Sequence, residues 1–280
     1  MRKIKLSILI IIAACSVHSA VAWSCFGHGS IAYVAEQHLT PEAKKQCRYY
    51  LKHTLPYYSA WMDDWLRVEG WDKVNSGHSI IPHEDGRTLR WEGDNPPAGY
   101  MTGRAPARLV KEFEELRDGK YKNLPDSVVR QRLINMIHYI PDMHCPVHVV
   151  FPKTTFAKYY YPLYKNGKQV KYHGFWDNSP GFERKGWSFE RYAAEVDKIS
   201  PKQAKKWQQG LEKSDIRPGL EAWAKDIIKQ AHRCYEIMPE GTDMAKLSEN
   251  QCDAIHELSD EMAMKGAYRL AYVLNSIFKE

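Results

Sequence analysis

His138-Tyr139-Ile140-Pro141-Asp142-Met143-His144-Cys145-Pro146-Val147-His148 sets three histidines and one carboxylate within eleven residues. On a helix, His138 and Asp142 stand four apart and project from one face, one turn above the other, so both can reach one metal ion. His148 lies six residues beyond Asp142, after Pro146 has loosened the helix end, so it points elsewhere and suits a second ion. A histidine on an amphipathic helix is more often a satisfied core or surface residue than a ligand. The cluster is therefore judged by its partners elsewhere in the chain.

Working outward, residues 127–139 carry core-facing helical spacing through Val129, Leu133, Met136 and Ile137, so the histidine stretch closes a helix. Residues 106–116 repeat that pattern through Leu109, Phe113 and Leu116. Nearer the N-terminus, residues 29–38 are apolar-periodic. Thr40-Pro41 then reads as an N-cap followed by Pro at the first helical position, with a helix running to about Leu51. Residues 55–65 are aromatic-rich, and 75–100 are punctuated by Gly and Pro into an unusually long loop. After the histidines, residues 151–171 are aromatic and basic, and Lys165-Asn166-Gly167-Lys168 is a hairpin turn. Helical patterning returns at Ser188 and predicts helices over 189–196, 201–213, 220–238 and 244–278. The fold class expected is mainly α, one domain with a small hairpin insertion.

The 280-residue chain opens with Arg2, Lys3 and Lys5, an apolar run over residues 6–14, and small residues ending Ala20-Val21-Ala22. That is the pattern of a secretory signal, which predicts a signal peptide over 1–22 and a mature domain over 23–280 that begins at Trp23. A minority alternative reads Ile12-Ala13-Ala14-Cys15 as a lipoprotein box, with Cys15 acylated. No stretch approaches the roughly 20 apolar residues of a membrane span. Without the three leader cations the formal net charge falls from +6 to +3, which is mild and not the supercharge of a dedicated nucleic-acid coat. The expected product is a soluble monomer, secreted or periplasmic. Export makes disulfides permissible among Cys25, Cys47, Cys145, Cys234 and Cys252, with at least one thiol left over.

Partners for the histidine stretch stand on either side of it in the chain. Trp23 and His28 are five apart, Asp63 precedes His78 by fifteen, and His173 and Asp177 are again four apart. Imidazole and carboxylate are suited to zinc. Taken jointly, W-x-x-x-x-H (Trp23, His28), W-x-D (Trp61, Asp63), His78, H-x-x-x-D-x-H-x-P-x-H (His138, Asp142, His144, Pro146, His148) and H-x-x-W-D (His173, Trp176, Asp177) resemble the zinc-dependent single-strand nuclease and 3′-nucleotidase family. That family is a branch of the phospholipase C/nuclease fold, and the resemblance runs from Trp23 to Asp177.

The resemblance implies three zinc ions. Asp63, His78, His138 and Asp142 would hold the first, and His148, His173 and Asp177 the second. The amino nitrogen and carbonyl oxygen of Trp23 would hold the third with His28 and a bridging Asp142. His144 would donate a hydrogen bond that orients a ligand. The reaction implied is hydrolysis of single-stranded DNA or RNA and of 3′-nucleotides by a zinc-activated water, leaving 5′-phosphorylated products from nucleic acid. Asp63 and Arg67 would carry the catalytic step, with Arg67 also binding the phosphoryl group.

Four departures from the family pattern stand out. The family's basic residue falls at Leu66, one before Arg67, and choosing Asp64 as ligand would restore that spacing while upsetting the one to His78. Pro141 replaces a glycine and is expected to kink the helix between the two ligands. Ser79 stands where an aromatic stacks the base, and no Gly-Gly-Asn run precedes the last ligand pair. Tyr159, Tyr160, Tyr161 and Tyr164, with Lys158 and Lys165, are candidates for base stacking and phosphate contact; the competing and favoured reading is a structural aromatic cluster. Two other functions compete. A zinc phospholipase C of the same fold would set its first His further from the Trp and end its ligands with Glu, not Asp177. A non-catalytic zinc or nucleic-acid binder would be expected to lack some of the ligand positions, all of which are filled here.

Overall fold

The computed structural model describes residues 23–62, 78–91 and 105–279. Its first two helices open alike. Ser24 caps α1 (Cys25–Gln37) by accepting from the Gly27 amide, and Thr40 caps α2 (Pro41–Leu51) by accepting from Ala43. The cap at Ser24 starts α1 four residues earlier than the periodicity suggests, and this places His28 on a helix. A short α3 (Leu55–Ser59) follows. Asp63, Asp64, Arg67 and much of the Gly/Pro-rich stretch lie outside the described residues.

The middle of the chain supplies α4 (Ala105–Leu116) and α5 (Asp126–His144). The latter runs through Pro141, so the proline does not end it; every residue from Leu133 to His144 is buried. Next come α6 (Lys153–Phe156), the antiparallel strands β1 (Leu163–Lys165) and β2 (Lys168–Val170), and α7 (Tyr172–Asp177). Asn166 and Gly167 both take positive φ, 51° and 74°, the two-residue turn that matches strand twist. This hairpin is the only sheet among the described residues.

The C-terminal third forms α8 (Phe189–Val196), α9 (Pro201–Gln208), α10 (Arg217–Ile237) and α11 (Glu249–Ile277). Helix α9 is shorter than expected because the chain turns at Gly210, where φ is 119° and the backbone touches that of Gly219. A Cβ on Gly219 would come within 2.0 Å of the Gly210 carbonyl oxygen. Helix α11 starts later than expected, after a capping box between Ser248 and Gln251. From Met262 to Ala271 every residue of α11 is buried, and it packs against α1, α5, α9 and α10, so it is the axis of a helical bundle. The fold is mainly α, as the spacing predicts, and no described helix is long and apolar enough to cross a membrane. Cys47, Cys145, Cys234 and Cys252 carry free thiols, so the disulfides that export would permit are not formed by them.

Candidate metal centre

Spacing along α5 brings His138 Nε2 to 3.0 Å from Asp142 Oδ2, with both side chains fully buried. His138 Nδ1 lies 2.8 Å from the Ser59 carbonyl of α3, which can only accept; Nδ1 therefore carries the proton and the Nε2 lone pair faces Asp142. Helix α1 delivers His28 to the other oxygen, with Nε2 3.1 Å from Asp142 Oδ1, and stacks its ring on that of His138 at 4.5 Å. His78 arrives by a backbone device. Ile80 donates to the His148 carbonyl and accepts from Val150, both at 2.9 Å, which sets the His78 ring 5.0 Å from that of His148 and its Nδ1 4.0 Å from Asp142 Oδ2.

A second group adjoins the first. His148 Nε2, His173 Nε2 and Asp177 Oδ1 form a triangle with sides of 3.1, 3.4 and 3.8 Å. Donors bound tetrahedrally to one zinc at about 2.0–2.2 Å lie roughly 3.3–3.6 Å apart, so the triangle has the right size. Trp23 is locked between the groups: its fully buried indole donates from Nε1 to the Pro141 carbonyl at 2.8 Å, and the next amide, Ser24 N–H, donates to the Asp177 carbonyl at 2.7 Å.

Asp142 tests the fit to a cation most directly. It is fully buried, yet among the described residues neither oxygen accepts a hydrogen bond, although imidazole nitrogens approach both. A buried carboxylate in that state is costly unless a cation compensates it. Burial opposes its ionisation, but His138, His28, His148 and His78 together outweigh burial and hold the carboxyl well below the usual range. Burial pushes His148 well below the ordinary imidazole value and His173 down to about 4. Near neutral pH the carboxylate is ionised and these imidazoles neutral, the forms that bind metal.

Other expectations fare differently. His144 does not orient a member of the centre: its Nδ1–H donates to the Ile140 carbonyl and its Nε2 accepts from Arg269, each at 2.8 Å, on the side of α5 that faces α11. Two residues beyond Asp142 on a helix, it points away from the Asp142 face. Tyr159 joins an aromatic ladder, stacked 4.0 Å on Tyr235, with its hydroxyl bonded to His232. Tyr160 is 44% exposed, with Lys153 over its ring and its hydroxyl donating to the Phe151 carbonyl. Asp63 and Arg67 lie outside the described residues. Sequence reasoning missed the Ser59 carbonyl, which has no residue-type signature, and Cys145, which sits inside the motif with its thiol 3.5 Å from Asp177 Oδ1.

Fold and site together define a mainly α protein with a buried histidine–aspartate centre suited to divalent cations. Residues 23–279 match the family model described as S1/P1 nuclease, so the chain belongs to the S1/P1 nuclease family, which in general depends on zinc. Nuclease PA3 of a Penicillium species and nuclease P1 of Penicillium citrinum are each 22% identical to it over 278 residues, covering 91% of this chain and 97% of the relative. The protein is therefore a nuclease, a hydrolase of nucleic-acid phosphodiesters.

Proposed function

We propose that the protein is an exported, monomeric, tri-zinc phosphoesterase that cleaves single-stranded DNA and RNA and removes phosphate from 3′-nucleotides. The observation that carries this reading is Asp142, a buried carboxylate with imidazoles on both oxygens and no hydrogen-bond donor on either. Asp142 would serve two ions, one held with His138, His78 and Asp63 and the other with His28 and Trp23. His148, His173 and Asp177 would hold the remaining ion. Bound zinc would supply an acidified water at neutral pH and positive charge beside the leaving oxygen.

The chain's own residues do the rest. Ser59 fixes the tautomer of His138, and the histidines around Asp142 hold its carboxyl ionised, the form that binds a cation. Arg67 would bind the phosphoryl group, with Asp63 completing the first site, and Tyr160, partly exposed beside Lys153, would contact a base. Removal of residues 1–22 would free the Trp23 amino group, whose position is supported by the anchoring of its indole to Pro141 and of Ser24 to Asp177.

Hydrolysis of single-stranded DNA, RNA, 3′-AMP and a choline phospholipid, each with and without chelator, tests the reading. The first three should be hydrolysed and all should stop with chelator. Cleavage of the phospholipid alone, or chelator-insensitive cleavage, would overturn it. Zinc counting on protein that begins at Trp23 should give about three ions, and an added N-terminal residue should reduce the count towards two, because an amide nitrogen has no available lone pair.

A further inference from the structure

We propose that Cys145 is a positioning residue of the centre: its thiol orients the Asp177 carboxylate so that Oδ1 faces the ion held with His148 and His173. The proposal rests on the metal-centre reading above and adds to it a residue outside the family's ligand pattern. Cys145 is fully buried at the C-terminal end of α5 and makes three hydrogen bonds to three members of the centre. Its amide donates to the Asp142 carbonyl at 2.9 Å, its carbonyl accepts from the His148 amide at 2.9 Å, and its Sγ–H donates to Asp177 Oδ1 at 3.5 Å. That same Oδ1 is the oxygen nearest His173 Nε2 and His148 Nε2.

The chemistry explains why a thiol suits the place. A carboxylate that binds a metal through one oxygen needs a partner to fix its rotation, and such partners set affinity as well as geometry. A lysine or arginine there would repel the cation and neutralise the ligand. A thiol is a weak neutral donor, so it steers Asp177 while leaving its charge for the metal. The two backbone bonds leave Cys145 little freedom, so the donor direction is set by the same turn that carries His148 away from α5. A cysteine that served only as a small buried hydrophobe would affect folding and nothing else.

Zinc titration of metal-stripped protein against a chromophoric chelator separates these roles, with thermal unfolding of the metal-free forms as the folding control. In C145A, affinity for one ion should fall about 10- to 100-fold while the remaining ions bind as in wild type. C145S keeps a donor on a shorter bond and should recover most of that loss. Should C145A not fold, C145S alone decides, with a severalfold loss for one ion expected. Wild-type affinity for every ion in the folded variants would overturn the proposal, as would an equal weakening of all ions. A strong near-ultraviolet sulfur-to-metal band in cobalt-loaded wild type, absent from C145S, would also overturn it, because the sulfur would then be a ligand. Wild-type protein that takes up no metal would overturn the reading of the centre itself, before any variant is made.

Discussion

Helix α5 carries two buried polar assemblies within one turn of each other, and they are built on opposite principles. On one side, His144 accepts from Arg269 and donates to Ile140, Arg269 also donates to Asp226 and the Trp207 carbonyl, and Asp226 receives Lys265 as well. Each of these charges and ring nitrogens has its partner inside the protein. On the other side, four imidazoles crowd Asp142, and neither of its oxygens accepts a hydrogen bond. Both assemblies contain histidine and aspartate, but Asp226 of the first is part-exposed and bonded by Lys265 and Arg269, whereas Asp142 of the second is fully buried with imidazoles beside both oxygens and no hydrogen bond among the described residues. A closed network specifies how α5 sits on α11, whereas an open one is suited to completion from outside, by the cations proposed above.

The largest expected break comes from removing those cations. Chelation should lower the melting temperature by roughly 5–10 °C for each ion bound at a hundredfold its Kd, since segments from Trp23 to Asp177 lose their common tie. A melting curve unmoved in fully stripped protein would mean that the open assembly is not a metal site.

His138→Ala should reduce phosphodiester cleavage by orders of magnitude and lower zinc content. His53→Ala, whose ring stacks on Tyr57 away from the centre, should change activity little. Comparable losses in both would show that the centre has been misassigned.

His144→Phe sharpens the contrast from the closed side. It leaves an Arg269 N–H without its acceptor, so stability should fall by about 1–3 kcal/mol, while the zinc content of the folded variant stays at the wild-type value. Loss of one ion would mean that the two assemblies are not separate.

A pH dependence of that same variant gives the last test. Burial first, then the Arg269 charge, pushes His144 down to about 3 from an ordinary 6.5. The unfolded chain therefore binds this proton as pH falls below 6.5, while the folded protein does not until about 3. Wild type loses stability through that window, by up to about 1.4 kcal/mol per pH unit from this residue, and His144→Phe does not. The stability gap between them should narrow from pH 6.5 towards 4 in urea titrations. A gap that widens would mean that His144 is protonated in the folded state.

Much of this was legible in residue order because it depends on short-range geometry. Thr40-Pro41 predicts the start of α2, Asn166-Gly167 predicts the hairpin, and the i, i+4 pairs His138/Asp142 and His173/Asp177 fall on helices α5 and α7. Helix α5 continues through Pro141 to His144, with every residue of this last turn buried and the Pro141 carbonyl accepting from the Trp23 indole. His144 was misjudged: periodicity says that it leaves the Asp142 face but not what awaits it on the other side.

By itself, then, the sequence determined the helical class, the turn chemistry and the set of residue types able to hold zinc, since each follows from spacing along one chain. Only the tertiary structure decided which of the two helix faces is closed and which is open. That depends on partners more than a hundred residues away, Trp23 for Pro141, His28 for Asp142 and Arg269 for His144, and on the Ser59 carbonyl, which every residue type possesses. Hydrogen-bond satisfaction is a property of three-dimensional neighbours, and no local pattern encodes it.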